Sequence, residues 1–178
     1  MRTINSQAWS RYSIKKPRKN YIKAMPHTSL LIFKMGKENE NYDTKVYLTS
    51  NQNVQLRSNA LEAARQAVNK YLEREMVGQF DLRLKTYPHH VIREKKMATG
   101  AGADRISKGM TLVFGKPSSV AARVYVDQPV FEVTTYLSKR AIIHEGLKRA
   151  ASKLSGTYKI KFVPIQKQQA GSAPAATN

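Results

Sequence analysis

Gly109 to Gly115, followed by Lys116, is the part of this chain that comes nearest to a phosphate-cradling loop. The chemistry fails on spacing. Five residues separate the glycines where a Walker loop has four, and Pro117 stands where a hydroxyl would hold magnesium. Gly100 and Gly102 form a lone G-x-G without the strand–loop–helix setting that binds a dinucleotide. His89 and His90 are adjacent, and neighbours on a strand point to opposite faces, so they do not converge on one metal. His27 and His144 add no ligand spacing. Asp104 beside Arg105 reads as a local ion pair or as an acceptor that shapes its loop. With no cysteine, disulfides, thiolate metal sites and thiol nucleophiles are excluded together. The expectation is a protein without catalytic residues, metal, cofactor or small-molecule substrate.

Charge is the unusual quantity. The 178 residues hold 31 Lys and Arg against 12 Asp and Glu, a formal +19. An ordinary small domain carries a net charge of magnitude about 2–8. So large an excess repels itself unless a polyanion cancels it, which points to nucleic acid. The hydrophobic fraction of 41% still supplies a core. No apolar run approaches the roughly 20 residues that span a bilayer, and the basic N-terminus lacks the apolar stretch of a secretory signal. A cytoplasmic protein without a membrane partner is expected.

The cations are unevenly placed. Residues 1–27 carry seven of them and no acid, with rings interleaved: Arg2, Trp9, Arg11, Tyr12, Lys15, Lys16, Arg18, Lys19, Tyr21 and Lys23. Pro17 and Pro26 interrupt any regular period. Such a segment can lie along RNA, with cations on phosphates and rings on bases or riboses. Residues 28–165 read as a single α+β domain. "SLLIFKMG", 29–36, and "KVYLTS" read as strands. "SNALEAARQAVNKYLEREMVG" reads as a helix. Its apolar stripe is Leu61, Ala64, Val68, Tyr71 and Leu72, Asn59 and Glu62 have capping-box spacing, and Gly78 is the stop. "QFDLRLKTY" has period two, with Phe80, Leu82 and Leu84 on one face and Asp81, Arg83 and Lys85 on the other. "HHVIREKK" continues extended. "VAARVYV" and "VFEVTTY", separated by a turn at Asp127-Gln128-Pro129, are expected to pair as antiparallel strands. A second helix starts at Ser138, buries Ile143, Leu147, Ala150, Ala151 and Leu154, and ends before Gly156. "YKIKFVP" is the last strand, and 166–178 reads as a disordered tail. The predicted fold is α+β, a mostly antiparallel sheet with two helices packed on one face.

Between the strands lies "EKKMATGAGADRISKGMTLVFGKP". It is glycine-rich and basic, and is expected to lack regular structure over about 97–109. Long connections of this kind are functional or disordered. Glycine and alanine permit close backbone approach, and lysine and arginine meet phosphate. A pliable basic excursion from a rigid sheet suits entry into a crowded anionic space.

These residues also carry a resemblance. His90 to Arg93, Lys96-Met97, Ala101 to Arg105, Gly109-Met110, Phe114 to Pro117 and Ala122 to Val124 match, in order, the signature blocks of the L-ten-e family. These are large-subunit ribosomal proteins of archaea and eukaryotes, counterparts of bacterial L-sixteen. "YIKAMPHTSLLIFKMG" and "ALEAARQAVNKYL" resemble the family's first strand and first helix, and the likeness runs from roughly Tyr21 to Val163. Ser119 departs from a glycine in the pattern. Lack of cysteine and the short tail fit an archaeal-type member.

The resemblance implies an α+β sandwich that binds large-subunit rRNA near the aminoacyl-tRNA site, with the 5S RNA region and other ribosomal proteins nearby. It also implies a loop that reaches toward the peptidyl transferase centre and the tRNAs of the A and P sites. Mapped onto this chain, that loop comprises Ala98, Thr99, Gly100, Ala101, Gly102, Ala103, Asp104, Arg105 and Lys108. Beside the N-terminal residues, the expected rRNA contacts are His89, His90, Arg93, Lys95 and Lys96 at the loop's base, and Lys116 and Arg123 on the returning strand. Arg140, Lys148, Arg149 and Lys153 form a helical basic face. Most contacts should position the protein on phosphate and ribose rather than read bases. The competing readings are an RNA-binding or maturation factor outside the ribosome and, less favoured, an RNA-modifying enzyme.

Overall fold

Alternation of buried and half-exposed residues along Thr44–Ser50 and unbroken burial along much of Pro129–Thr135 make these two strands the centre of the molecule. They are β2 and β7 of a computed structural model that describes residues 25–95, 100–106 and 115–165. Around them lie β1 (Lys34–Gly36), β4 (Asp81–Leu84) and β8 (Tyr158–Pro164), giving a five-stranded sheet in the order β1-β4-β7-β2-β8, with every pairing antiparallel. A second sheet has β3 (Val54–Arg57), β6 (Lys116–Val124) and β5 (His90–Glu94) in the order β3-β6-β5.

Two long helices fill the inner side. In α1 (Ser58–Glu75), Leu61, Ala64, Val68 and Leu72 are fully buried; in α3 (Arg140–Ala151), Ile143, Leu147 and Ala150 are. They share one core with Val46, Leu48, Leu82, Phe131 and Val133. Each such side chain contributes about 1.5–3 kcal/mol by leaving water. The helices approach closely at Gly146, where a Cβ would sit 3.2 Å from the Tyr71 ring and 3.3 Å from Leu72.

The α+β architecture agrees with the sequence, and four local expectations are corrected. First, β6 and β7 do not pair. The turn at Asp127, with φ of 62°, passes the chain from one sheet to the other; the Asp127 N–H donates to Ser50 O at 2.8 Å. Second, the strand expected over 29–36 is regular only at Lys34–Gly36, because Leu30 turns into the core while Leu31 and Ile32 face out. Third, no capping box forms at α1. The helix begins at Ser58, immediately after β3, and the Glu62 carboxylate accepts from Arg65 and Gln66 instead. Fourth, a 3-10 turn over Leu137–Lys139 precedes α3, so Ser138 lies inside that turn and is not the cap of the α-helix.

Candidate nucleic-acid interface

The glycine-rich excursion leaves from β5 and returns through β6. Its base is held by cross-strand pairs, Arg93 opposite Pro117 and Glu94 opposite Lys116, and by the Ser118 hydroxyl donating to Glu94 at 3.2 Å. Gly115 makes this closure possible. Its φ is 72°, and a Cβ there would lie 2.4 Å from the Glu94 carbonyl carbon and 2.6 Å from the Lys95 nitrogen. Within the excursion, Ala103–Ile106 closes one helical turn, α2, entered through Gly100 and Gly102, both at positive φ. The expectation of no regular structure is corrected there. Lys96, Ala98, Thr99 and Lys108 lie outside the described residues, as do Trp9, Arg11, Tyr12, Lys15, Lys16, Arg18, Lys19, Tyr21, Lys23 and the tail 166–178.

On the three-stranded sheet, Arg123 lies opposite Gln55, while Ala121 lies between Arg57 on β3 and His90 on β5. Arg57 was not singled out from sequence, although the alternation of "VQLR" puts it opposite the core residues Val54 and Leu56. His90 is a correction: it is 1% exposed and so is not a surface contact. Burial, and secondarily the Arg123 charge, push its pKa down from 6.5 to about 4, so the ring is neutral in the folded protein. His89 is exposed, as strand alternation requires. Arg93 and Lys95 are half-buried and Lys116 is exposed.

The helical face has two kinds of cation. Lys148 and Lys153 are exposed. Arg140 lies over the Phe162 ring at 4.3 Å, and Arg149 lies over Tyr71 at 4.1 Å and donates to Glu145 at 3.3 Å. The arginines are therefore held against the body. Lys148 and Arg149 in the last turn also oppose the negative end of the helix dipole.

The outer face of the five-stranded sheet behaves oppositely, a division the sequence did not reveal. Lys34 and Arg83 meet Glu38 at 2.5 and 2.7 Å, and Arg83 also meets Asp81 at 2.7 Å. Lys85 and Lys45 flank Glu132 at 2.8 and 3.9 Å, and Lys161 meets Asp127 at 2.7 Å. These contacts hold the carboxyls of Glu38 and Asp127 below their usual range. The leading causes are the hydrogen bond from Lys34 and that from Lys161, respectively. Asp81 and Glu132 point to this face yet are buried, because the long basic side chains cover them. Among the described residues, exposed cations away from this face include Lys116 at the excursion's base and Lys148 and Lys153 in and just after α3. Among the described residues no three His, Asp or Glu cluster as a metal site, and no helix is long and apolar enough to cross a membrane.

The described residues thus form an α+β sandwich with ion-paired cations on one sheet face and a glycine-rich basic excursion rooted in paired strands. Comparison with known sequences gives the family. The family described as ribosomal protein L16p/L10e matches residues 9–161, and this chain belongs to it. It is a family of ribosomal proteins, not of enzymes. Among similar relatives is the large ribosomal subunit protein uL16 of Hyperthermus butylicus, 42% identical over 157 residues, covering 88% of this chain and 87% of that one. The uL16 of Archaeoglobus fulgidus is 40% identical over 156 residues, 87% and 90% of the two chains. That of Methanoculleus marisnigri is 44% identical over 142 residues, 77% and 81%.

Proposed function

We propose that this protein is a structural constituent of the large ribosomal subunit in the cytoplasm, and that it binds large-subunit rRNA near the aminoacyl-tRNA site. The observation that carries the reading is the family match over residues 9–161, joined to the net charge of +19. The N-terminal cations thread between RNA helices. Arg93, Lys95, Lys116 and Arg123 clamp RNA at the base of the excursion, and Lys148 and Lys153 hold a second RNA segment. The excursion, Ala98 to Lys108, extends toward the peptidyl transferase centre and supports the positioning of tRNA in the A and P sites. The reaction itself is left to RNA. Most contacts fall on phosphate and ribose, with the 5S RNA region and other ribosomal proteins as neighbours.

Sedimentation tests the assignment: the protein should remain with large subunits through a moderate salt wash, whereas a free factor would move to the top of the gradient. Deleting 98–108 should then leave assembly largely intact and impair tRNA accommodation. Loss of folding in the isolated deletion variant would overturn the role given to the excursion.

A further inference from the structure

We infer that Tyr87 and His89, backed by Phe33, form a shelf on which an unpaired RNA base stacks. The inference rests on the RNA-binding reading and assigns it a particular ligand contact.

The rings are arranged in series. Phe33 and Tyr87 stack with centroids 5.4 Å apart and planes 21° apart, and Tyr87 and His89 follow at 4.5 Å and 45°. The link from β4 to β5 holds them there by alternation. Thr86, Pro88 and His90 turn inward, which leaves Tyr87 and His89 together on the outside. The backbone below is fixed. The Leu84 N–H donates to Phe33 O at 2.8 Å, the Lys85 N–H to Val130 O at 2.9 Å, and the Thr86 hydroxyl to Pro129 O at 3.3 Å.

Despite this anchoring, Tyr87 is 49% exposed, and Leu31 and Ile32 beside Phe33 are 71% and 49% exposed. A pre-positioned pair of rings loses little side-chain freedom when a third ring joins it, so stacking is inexpensive here. A planar aromatic partner fits ring faces better than an aliphatic one. In a chain of +19 that partner is most readily delivered on a polyanion. The shelf leads directly into β5, which carries Arg93 and, at its end, Lys95, so a strand stacked at Tyr87 has cations ahead of it.

The test uses the full chain with two probes, an oligoadenylate of about ten nucleotides and an abasic oligomer of the same length and charge, at one ionic strength. The wild type should prefer the oligoadenylate. Tyr87→Ala with His89→Ala should weaken oligoadenylate binding about five- to a hundredfold, the range for loss of a stacked base, and leave abasic binding unchanged. Tyr87→Phe should retain the preference. Tyr87→Leu keeps the apolar bulk without a π face and should lose it, which separates stacking from packing if the double variant does not fold. An unchanged preference in the variants, or equal loss on both probes, overturns the shelf alone. Wild-type protein that binds neither probe overturns the RNA-binding reading beneath it.

Discussion

Acid should destabilise this protein in a window set by one residue, His90. The ring is 1% exposed and takes a proton only near pH 4, whereas in the unfolded chain it does so near 6.5. Between those values the unfolded state binds more protons. The stability tied to neutral His90 is therefore complete above pH 6.5 and is lost as the pH falls through 4. The full difference is about 3 kcal/mol, since one pKa unit corresponds to about 1.4 kcal/mol. At pH 5, where the unfolded ring is protonated and the folded ring is not, the loss relative to pH 7 is about 2 kcal/mol. With a urea dependence of about 2 kcal/mol per molar, the unfolding midpoint should fall by about 1 M.

The carboxyls held down by ion pairs, Glu38, Glu62 and Asp127, respond below their ordinary values near 4, outside the interval from pH 5 to 7. The assay is urea unfolding at half-unit pH steps on wild type and His90→Gln. The variant pays a constant packing cost and should show a nearly flat midpoint over that interval. Parallel curves for the two proteins would refute the argument, because the pH response would then belong to other groups.

Two further predictions concern glycine and charge. Gly36→Ala and Gly115→Ala should each cost about 2–5 kcal/mol, from a left-handed backbone and a Cβ 2.2 Å from Phe80 O or 2.4 Å from the Glu94 carbonyl carbon. Gly102→Ala, with nothing within 4 Å of its Cβ, should cost at most about 1–2 kcal/mol, and urea midpoints rank the three. Replacing Lys116, Lys148 and Lys153 by Gln should reduce the salt slope of RNA binding by about 2–3, close to one per phosphate contact. The same change at Lys45, Lys85 and Lys161, which face acids across 2.7–3.9 Å, should leave it nearly unchanged; equal effects in filter-binding titrations would refute the division into faces.

What could be read from the sequence was what depends on neighbours along the chain. The stripe of α1 is set by spacing of three and four residues, and Leu61, Ala64, Val68 and Leu72 are buried as that spacing requires. Period two placed Phe80, Leu82 and Leu84 inward, and alternation separated His89 from His90, although it could not say which ring faces in. Pairing between strands was not legible. β6 and β7 are joined by a short turn and still enter different sheets, because the register of each is set by distant partners, β3 and β5 for one, β2 and β4 for the other. The cap of α1 failed for a local reason: Asn59 and Glu62 have the right spacing, but the cap position falls two residues earlier, at Arg57, and Arg65 offers Glu62 a charged partner.

The same limit explains why the total charge was legible and its division was not. All twelve acids and 21 of the 31 lysines and arginines fall among the described residues, so the body carries +9 and the rest of the chain ten cations without an acid. Sequence shows that inventory but not which side chains the sheets bring together. The acids that pair with cations on the five-stranded sheet come from three separate stretches of the chain, Glu38, Asp81, and Asp127 with Glu132, and share one face because β1, β4, β7, β2 and β8 lie side by side. Gathering them on one face sets four acids against five of the described lysines and arginines there, Lys34, Lys45, Arg83, Lys85 and Lys161. A uniformly basic body would be drawn to RNA in any orientation. On the proposed reading, a body less positive on that face turns α3 and the base of the excursion toward RNA. The buried carboxylates of Asp81 and Glu132 thus serve orientation by lowering the pull of their own face on phosphate.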